Sequence, residues 1–271
     1  MTASIANARM YAVAPAAEEA WRALLEHIAS EADMPLTYLP YPAPQPLEQL
    51  WSRADLGAVL MCGYPIALRL AAVVPLASPI PAVDWAQGRA VYRTDLIVRA
   101  DAPYRRLEDS FSGRVGWTVE HSHSGFNALR HHLLRYRSAQ RPRVYRETIG
   151  HLVTARRILD AVIAGEIDVG PLDAYWHLLL RRHMPALVAG IRVLDSTDVA
   201  PMPAFVAAPG LPQAAIARLK AAFAGASQRP WFAALAAPLC LTGFASVSQA
   251  DFATTLDWDR AARAAGYALP A

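Results

Sequence analysis

The chain has 271 residues, 54% of them hydrophobic and 18% charged, with a formal net charge of +3 at pH 7. That length and balance exclude a disordered chain and allow one or two domains around a large core. The charge is uneven: residues 1–90 carry a net of −3, residues 91–200 a net of +4 and residues 201–271 a net of +2.

Taken in chain order, short apolar strands alternate with helical runs, the pattern of an α/β protein. Ala8 to Val13 reads as a first strand, followed by a helix over Ala16 to Ala32 with Trp21, Leu24, Leu25 and Ile28 on one face. Leu36 to Leu39 reads as a strand, Tyr41 to Pro46 as a proline-rich loop, Leu47 to Arg53 as a short helix and Leu56 to Met61 as a strand. Ala71 to Leu76 and Leu96 to Val98 read as further strands, and Arg114 to Thr118 as another that leads into His121-Ser122-His123-Ser124-Gly125. A helix from about Phe126 to Arg137 and one over Thr154 to Ala164 follow, the second ended by Gly165. Ile167 to Pro171, Arg192 to Asp195 and Ala204 to Ala207 read as strands. Leu172 to Arg182, Gln213 to Ala224 and Gln249 to Ala265 read as helices.

Cys62 and Cys240 lie outside any C-x-x-C pair and read as buried free thiols. The start, MTASIANARMYAV, has no basic end followed by a long apolar run, so it does not read as a secretory signal. The apolar stretch from Ala54 to Pro81 is broken by Arg69 and several prolines, so no transmembrane helix is expected. The densest basic stretch, Arg130 to Arg146, reads as a solvated helix and loop; no recognition helix, zinc finger or aromatic RNA-binding strand accompanies it.

The sharpest local feature is the strand-to-helix turn Ser122-His123-Ser124-Gly125. Small hydroxyl residues at a helix start present backbone N–H groups and hydroxyl donors to one spot that favours an anion, although plain helix capping uses the same residues. His121 and His123 form an H-x-H pair, with His131 and His132 beyond it; a metal site would need partners brought in by the fold, and no HExxH is present. No G-x-S-x-G elbow, G-x-G-x-x-G loop or Walker A loop occurs.

Four segments, in order, resemble the phosphate/phosphonate-type substrate-binding components of ABC importers. Tyr92 to Asp101 is similar to that family's crossing strand, and Leu107 to Gly116 to its L-x-D-L-x-G-x-x-V segment, with Phe111 for the second leucine. Ser122 to Phe126 is similar to its S-T-S-G-[YF] anion turn, with His123 for the threonine. Val162 to Gly170 is similar to V-x-x-G-x-x-D-x-G, with Asp173 and Tyr175 where the family often has an aspartate and an aromatic.

The resemblance implies an α/β, two-lobed type II periplasmic binding protein. Each lobe would be a mixed sheet flanked by helices, with two crossing strands as a hinge near Tyr92 to Asp95 and Ala200 to Phe205. Residues 1–93 and 200–271 would form lobe 1, and residues 94–199 lobe 2. It further implies a non-enzymatic, monomeric solute-binding protein, periplasmic, with no metal or cofactor and no nucleic-acid partner. Such a protein closes on a small anion and delivers it to the membrane subunits of an ABC importer. Carried over by position, Ser122 and Ser124 would donate to the anion within the turn that His123 and Gly125 complete. Tyr92, Tyr41 and Tyr64 would line the cleft, Asp173 would meet a cationic group on the ligand beside Tyr175, and His151 would stand near the family's glycine-histidine pair. The alternative readings are an intracellular ligand sensor on the same fold and a metal-dependent enzyme built on the histidine-rich turn.

Overall fold

The structure, a computed structural model, describes residues 4–271; Met1 to Ala3, which enter the reading of the N-terminus as lacking a secretory signal, lie outside them. The first of two main sheets is built from continuous apolar runs. Its strands are β1 (Ser4–Asn7), β2 (Leu36–Tyr38), β3 (Leu56–Met61), β4 (Val74–Pro81), β12 (Ala204–Ala207) and β13 (Leu241–Ser246), in the order β13-β4-β12-β3-β1-β2. β1 is parallel to β2 and β3, while β12 and β13 run antiparallel to their neighbours, so the sheet is mixed. Every residue of β3 and β12 is buried, as expected of central strands covered on both faces.

Two short strands, β5 (Val91–Tyr92) and β11 (Ala200–Pro201), pair antiparallel and carry the chain out of this sheet and back. Between them lies the second sheet, with β6 (Thr94–Arg99) between β9 (Gly170–Asp173) and β10 (Ile191–Ser196), both antiparallel to it. A parallel bridge from Val115 to Val169 extends it to β7 (Arg114–Gly116), which pairs parallel with β8 (Glu147–Ile149).

Helices cover both sheets. On the first lie α1 (Pro15–Glu31), α2 (Leu47–Trp51), α3 (Gly63–Leu68), α8 (Gln213–Gly225) and α9 (Phe232–Leu239). α1 starts with Pro at its first turn and buries Trp21, Leu24, Leu25 and Ile28 along one face, the 3.6-residue period of an amphipathic helix. On the second lie α4 (Ala128–Leu133), α5 (Ala155–Ile163), α6 (Ala174–His183) and α7 (Pro185–Val188). α10 (Ala253–Ala264) crosses between the two: its Asp259 pairs with the buried Arg130 of α4, and Asn127 Nδ2 donates to the carbonyl of Thr255 at 2.8 Å. The tail beyond it continues onto the second body. Tyr267 joins the apolar cluster of Leu96, Trp117 and Leu129, and Val144 N donates to the carbonyl of Ala271 at 2.7 Å. Residues 265–271 therefore depart from the expected division, in which the whole C-terminal stretch shares lobe 1.

Other departures have local causes. The first strand is Ser4–Asn7 rather than Ala8 to Val13, and Arg9–Tyr11 is a 3-10 turn. Asn7 ends the strand: its Oδ1 accepts from Arg9 N at 2.9 Å and its Nδ2 donates to the carbonyl of Leu39 at 2.8 Å, the local bonding by which asparagine turns a chain. β4 begins later than expected and contains Pro75, Pro79 and Pro81 although it is an interior strand. Even spacing puts the three missing donors on one side of the strand and leaves the other side intact. α9 and β13, over Phe232–Ser246, form from a stretch whose apolar residues show neither period.

Phe205 sits at the centre of the first core, with ring centroids of Phe223 at 5.0 Å and Trp21 at 5.7 Å. Phe205→Ala should cost about 3–5 kcal/mol of stability, read from the urea midpoint; a loss under about 1 kcal/mol would show that this layer is not the packed centre of the sheet.

Candidate functional site: a cleft between two sheets

A cavity of about 280 Å³ opens where the carboxyl ends of strands from both bodies meet, the usual position of ligands in α/β folds. Each wall is set by local chain chemistry. From the first body come the 3-10 turn after β1, with Arg9 and Tyr11, and Trp51 at the end of α2, whose Nε1 donates to the carbonyl of Leu60 at 3.0 Å. From the second body come Thr118, the turn at Ser122 to Gly125, and the start of α5.

The turn opens as one π-helical turn over His123–Asn127 and continues directly as α4. Ser122 Oγ accepts from Gly125 N at 3.0 Å, which caps the helix and leaves the hydroxyl proton free. A side chain at Gly125 would place its Cβ 2.0 Å from Thr118 Oγ1, so glycine is required for the turn to close on Thr118. Thr154 caps α5 by accepting from Arg157 N at 3.1 Å. The chain reaches this cap through Val153 at φ +64°, a left-handed conformation that strains a β-branched residue, and Val153 N is held by the carbonyl of Thr118. Two helix starts thus converge on one space, and two residues of its lining, Tyr92 and Thr118, carry buried hydroxyls with no hydrogen-bond partner among the described residues. A buried hydroxyl without a partner is a position that a polar ligand atom can satisfy.

Of the residues singled out from sequence, the fold brings Tyr92, Ser122, Ser124, Gly125 and Asp173 to this cleft. Asp173 is already committed: Oδ1 accepts from Tyr175 N and Trp176 N at 2.8 and 3.0 Å, capping α6, and Oδ2 accepts from Tyr11 Oη at 2.9 Å. Its oxygens therefore serve the fold rather than an approaching ammonium group. Tyr175 is buried in the core, its hydroxyl donating to the carbonyl of Leu239 and its ring 4.6 Å edge-on from Tyr11. Tyr41 stands beside the mouth, its hydroxyl donating to the carbonyl of Pro46 at 2.8 Å. Tyr64 lines a separate cavity of about 370 Å³ behind the turn, with Arg130 and Arg263. His151 lies off the cleft, at φ +57°, against the Trp117 ring and 3.1 Å from Glu120.

His123 turns away from the cleft. Its ring is 1% exposed and stacks at 5.1 Å on Trp258 of α10, whose indole also stacks on His131 at 4.7 Å. Asn127 Nδ2 donates to Nδ1 of His123, which assigns the imidazole proton to Nε2. His121 faces Glu48 at 3.2 Å and Trp51 across the mouth, and His132 pairs with Asp195 at 2.9 Å. His123 and His131 thus share Trp258 while His121 and His132 turn to separate carboxylates, and among the described residues no three His, Cys, Asp or Glu side chains gather to hold a metal.

The cleft also takes His121 of the H-x-H pair, and Arg9, Tyr11, Thr118 and Thr154, which are not among the site residues expected from sequence. Thr154 carries a readable signal, a threonine cap before an amphipathic run; the others reach the cleft only because of where their strands end.

Burial keeps the inner wall of the cleft neutral. It raises the Tyr11 and Tyr92 hydroxyls well above their ordinary range and pushes the Cys62 thiol up. It holds the Asp173 carboxyl up at about 7 and lowers the His123 imidazole to about 3. These two groups pull stability in opposite directions. Between about pH 3 and 6.5 the unfolded chain binds a proton that buried His123 refuses, so this contribution is present above about 6.5 and drains as pH falls. Between about pH 4 and 7 folded Asp173 holds a proton that the unfolded chain gives up, so this contribution is present below about 4 and drains as pH rises. Asp173→Asn should therefore steepen the rise of the urea midpoint from pH 4 to 6.5, and His123→Gln should reverse it; identical profiles in both variants would remove the two assignments.

A family model described as ABC transporter, phosphonate, periplasmic substrate-binding protein matches residues 12–252 of the chain. No curated protein sequence matches it. Among solved structures, it is similar to a binding-protein component of an ABC phosphonate transporter from Pseudomonas aeruginosa, at 14% identity and a TM-score of 0.79, over 97% of this chain and 88% of that one. PhnD1 from Prochlorococcus marinus, in complex with methylphosphonate, is similar at 12% identity and a TM-score of 0.77, over 96% of this chain and 98% of that one. A Xanthomonas citri protein bound to chloride ion is similar at 18% identity and a TM-score of 0.69, over 98% of this chain and 99% of that one. These structures establish the two-lobed α/β fold of periplasmic binding proteins. With the family model spanning most of its length, the chain belongs to the family of periplasmic substrate-binding proteins of phosphonate ABC transporters.

Proposed function

We propose that the cleft captures a phosphonate or a related small oxyanion and presents it to the membrane subunits of an ABC importer after export to the periplasm. The observation that carries this reading is the pair of buried, unpartnered hydroxyls of Tyr92 and Thr118, set beside the Ser122 to Gly125 turn and the start of α5. A tetrahedral head with several oxygens satisfies donors arriving from several directions, and the partial positive charge of two helix starts favours its negative charge. Residues 1–93 with most of 200–271, and residues 94–199, act as the two bodies of the hinge, with β5 and β11 as the crossing. Closing them around the anion excludes water and strengthens each bond.

Isothermal titration of dialysed protein with methylphosphonate, phosphate, methanesulfonate and acetate tests the reading. Saturable binding of at least one phosphorus oxyanion is expected, with the sulfonate and the carboxylate weaker. Ser122→Ala with Ser124→Ala should lower the affinity for that anion by about a hundredfold or more, two hydrogen bonds to a charged group at about 1.5–3 kcal/mol each. Far-ultraviolet circular dichroism should be unchanged. An unaltered dissociation constant in the double variant would reject the turn as the anion site.

A further inference from the structure

Resting on the reading of the cleft as an oxyanion site, we propose that its ligand carries a second anionic group at the end of a short apolar chain, a carboxyalkyl phosphonate in chemical class, and that Arg9 receives that group.

The charge inventory of the cleft wall is short. The acidic residue there is Asp173, and all its bonding is internal: two backbone N–H groups of α6 and the Tyr11 hydroxyl occupy its oxygens. Burial also holds its carboxyl up at about 7, which weakens it as a partner for a cation. An ammonium group entering the cleft would find no free carboxylate among the described lining residues, and burying an unpaired cation is costly. Of the two arginines on the wall, Arg156 is paired with Asp160 at 2.9 Å one helical turn away. Arg9 has no carboxylate within 4 Å among the described residues; Glu48, close enough to act on it through space, is engaged by His121 at 3.2 Å. Its guanidinium rests 5.4 Å over the Tyr41 ring and donates one N–H to the carbonyl of Gln45, so the fork is held in place with most of its five donors unspent.

The lining also includes the apolar side chains of Met10, Val13, Leu47 and Val119. A space of about 280 Å³ also exceeds what a single compact oxyanion fills, since one water takes roughly 30 Å³ of liquid. A ligand with a phosphonate head, a short methylene chain and a terminal carboxylate matches the turn, the apolar side chains and the Arg9 fork, whereas a terminal amine meets no carboxylate free of internal bonds among the described lining residues.

Titration calorimetry with methylphosphonate, 2-aminoethylphosphonate and 3-phosphonopropionate decides the matter in the intact protein. The carboxylate compound should bind at least tenfold more tightly than either of the others. In Arg9→Gln the ratio of 3-phosphonopropionate to methylphosphonate affinity should collapse by tenfold or more, and Arg9→Lys should recover part of it; thermal unfolding without ligand confirms that each variant is folded. Equal or tighter binding of 2-aminoethylphosphonate, or a ratio that survives Arg9→Gln, overturns the proposal while leaving oxyanion capture intact. Binding of none of the three, with none of inorganic phosphate, overturns oxyanion capture itself and this inference with it.

Discussion

The carboxyl of Asp173 is the point on which the two bodies depend. It ends β9, pairs in register opposite Thr94 of β6, and caps α6 through two backbone N–H groups. Its remaining oxygen accepts from Tyr11, which belongs to the other sheet. One buried side chain therefore terminates a strand, starts a helix and joins two bodies. The packing around it follows: Tyr175, set one residue into α6, lies edge-on against Tyr11 and bonds to the carbonyl of Leu239 at the end of α9. A second brace lies nearby, where Asp95 accepts from Ser196 Oγ at 2.9 Å and meets His177 Nδ1 at 2.9 Å. Buried carboxyls of this kind are tolerated because each oxygen has a hydrogen-bond partner.

The chemistry of the cleft follows from what these braces leave over. Polar groups used in holding the fold are lost to a ligand, and those left unpartnered define one. Tyr92 and Thr118 are left over, as are the proton of Ser122 and most of the Arg9 fork. The cost of shaping this space is local backbone strain at Val153 and a glycine at 125 where any side chain would collide with Thr118. A largely buried inner wall with the Arg9 fork in its lining suits an anion that must shed its water on entry.

Much of this was legible in the residues, and the failures have physical reasons. Helices with a clear apolar stripe, such as α1 with Trp21, Leu24 and Ile28, were read within a residue or two. The turn at Ser122 to Gly125 was legible because serine, glycine and a following aromatic form a local pattern with a local cause. What a side chain faces is not local. His123 sits inside that pattern yet its ring lies behind the turn, against Trp258 from 135 residues away in the chain. Tyr64 follows a strand end, as a cleft residue should, and faces the cavity behind instead. Asp173 has the two readings of any aspartate before a helix, cap or contact, and only the distances to Tyr175 N and Tyr11 Oη separate them. Arg9 and Tyr11 were hidden because Ala8 to Val13 looks like a strand until Asn7 is seen to end it.

The path of α10 has a mechanical consequence. Two crossing strands alone make a hinge, a pair of pivots about which one body swings freely. The C-terminal segment adds a third connection between the bodies, through Arg130 with Asp259, Asn127 with Thr255, the Trp258 stack and the pairing of Val144 with Ala271. Any rotation of one body against the other must stretch or slide this third member, so the C-terminal helix shares with the crossing strands the control of how the two bodies are held.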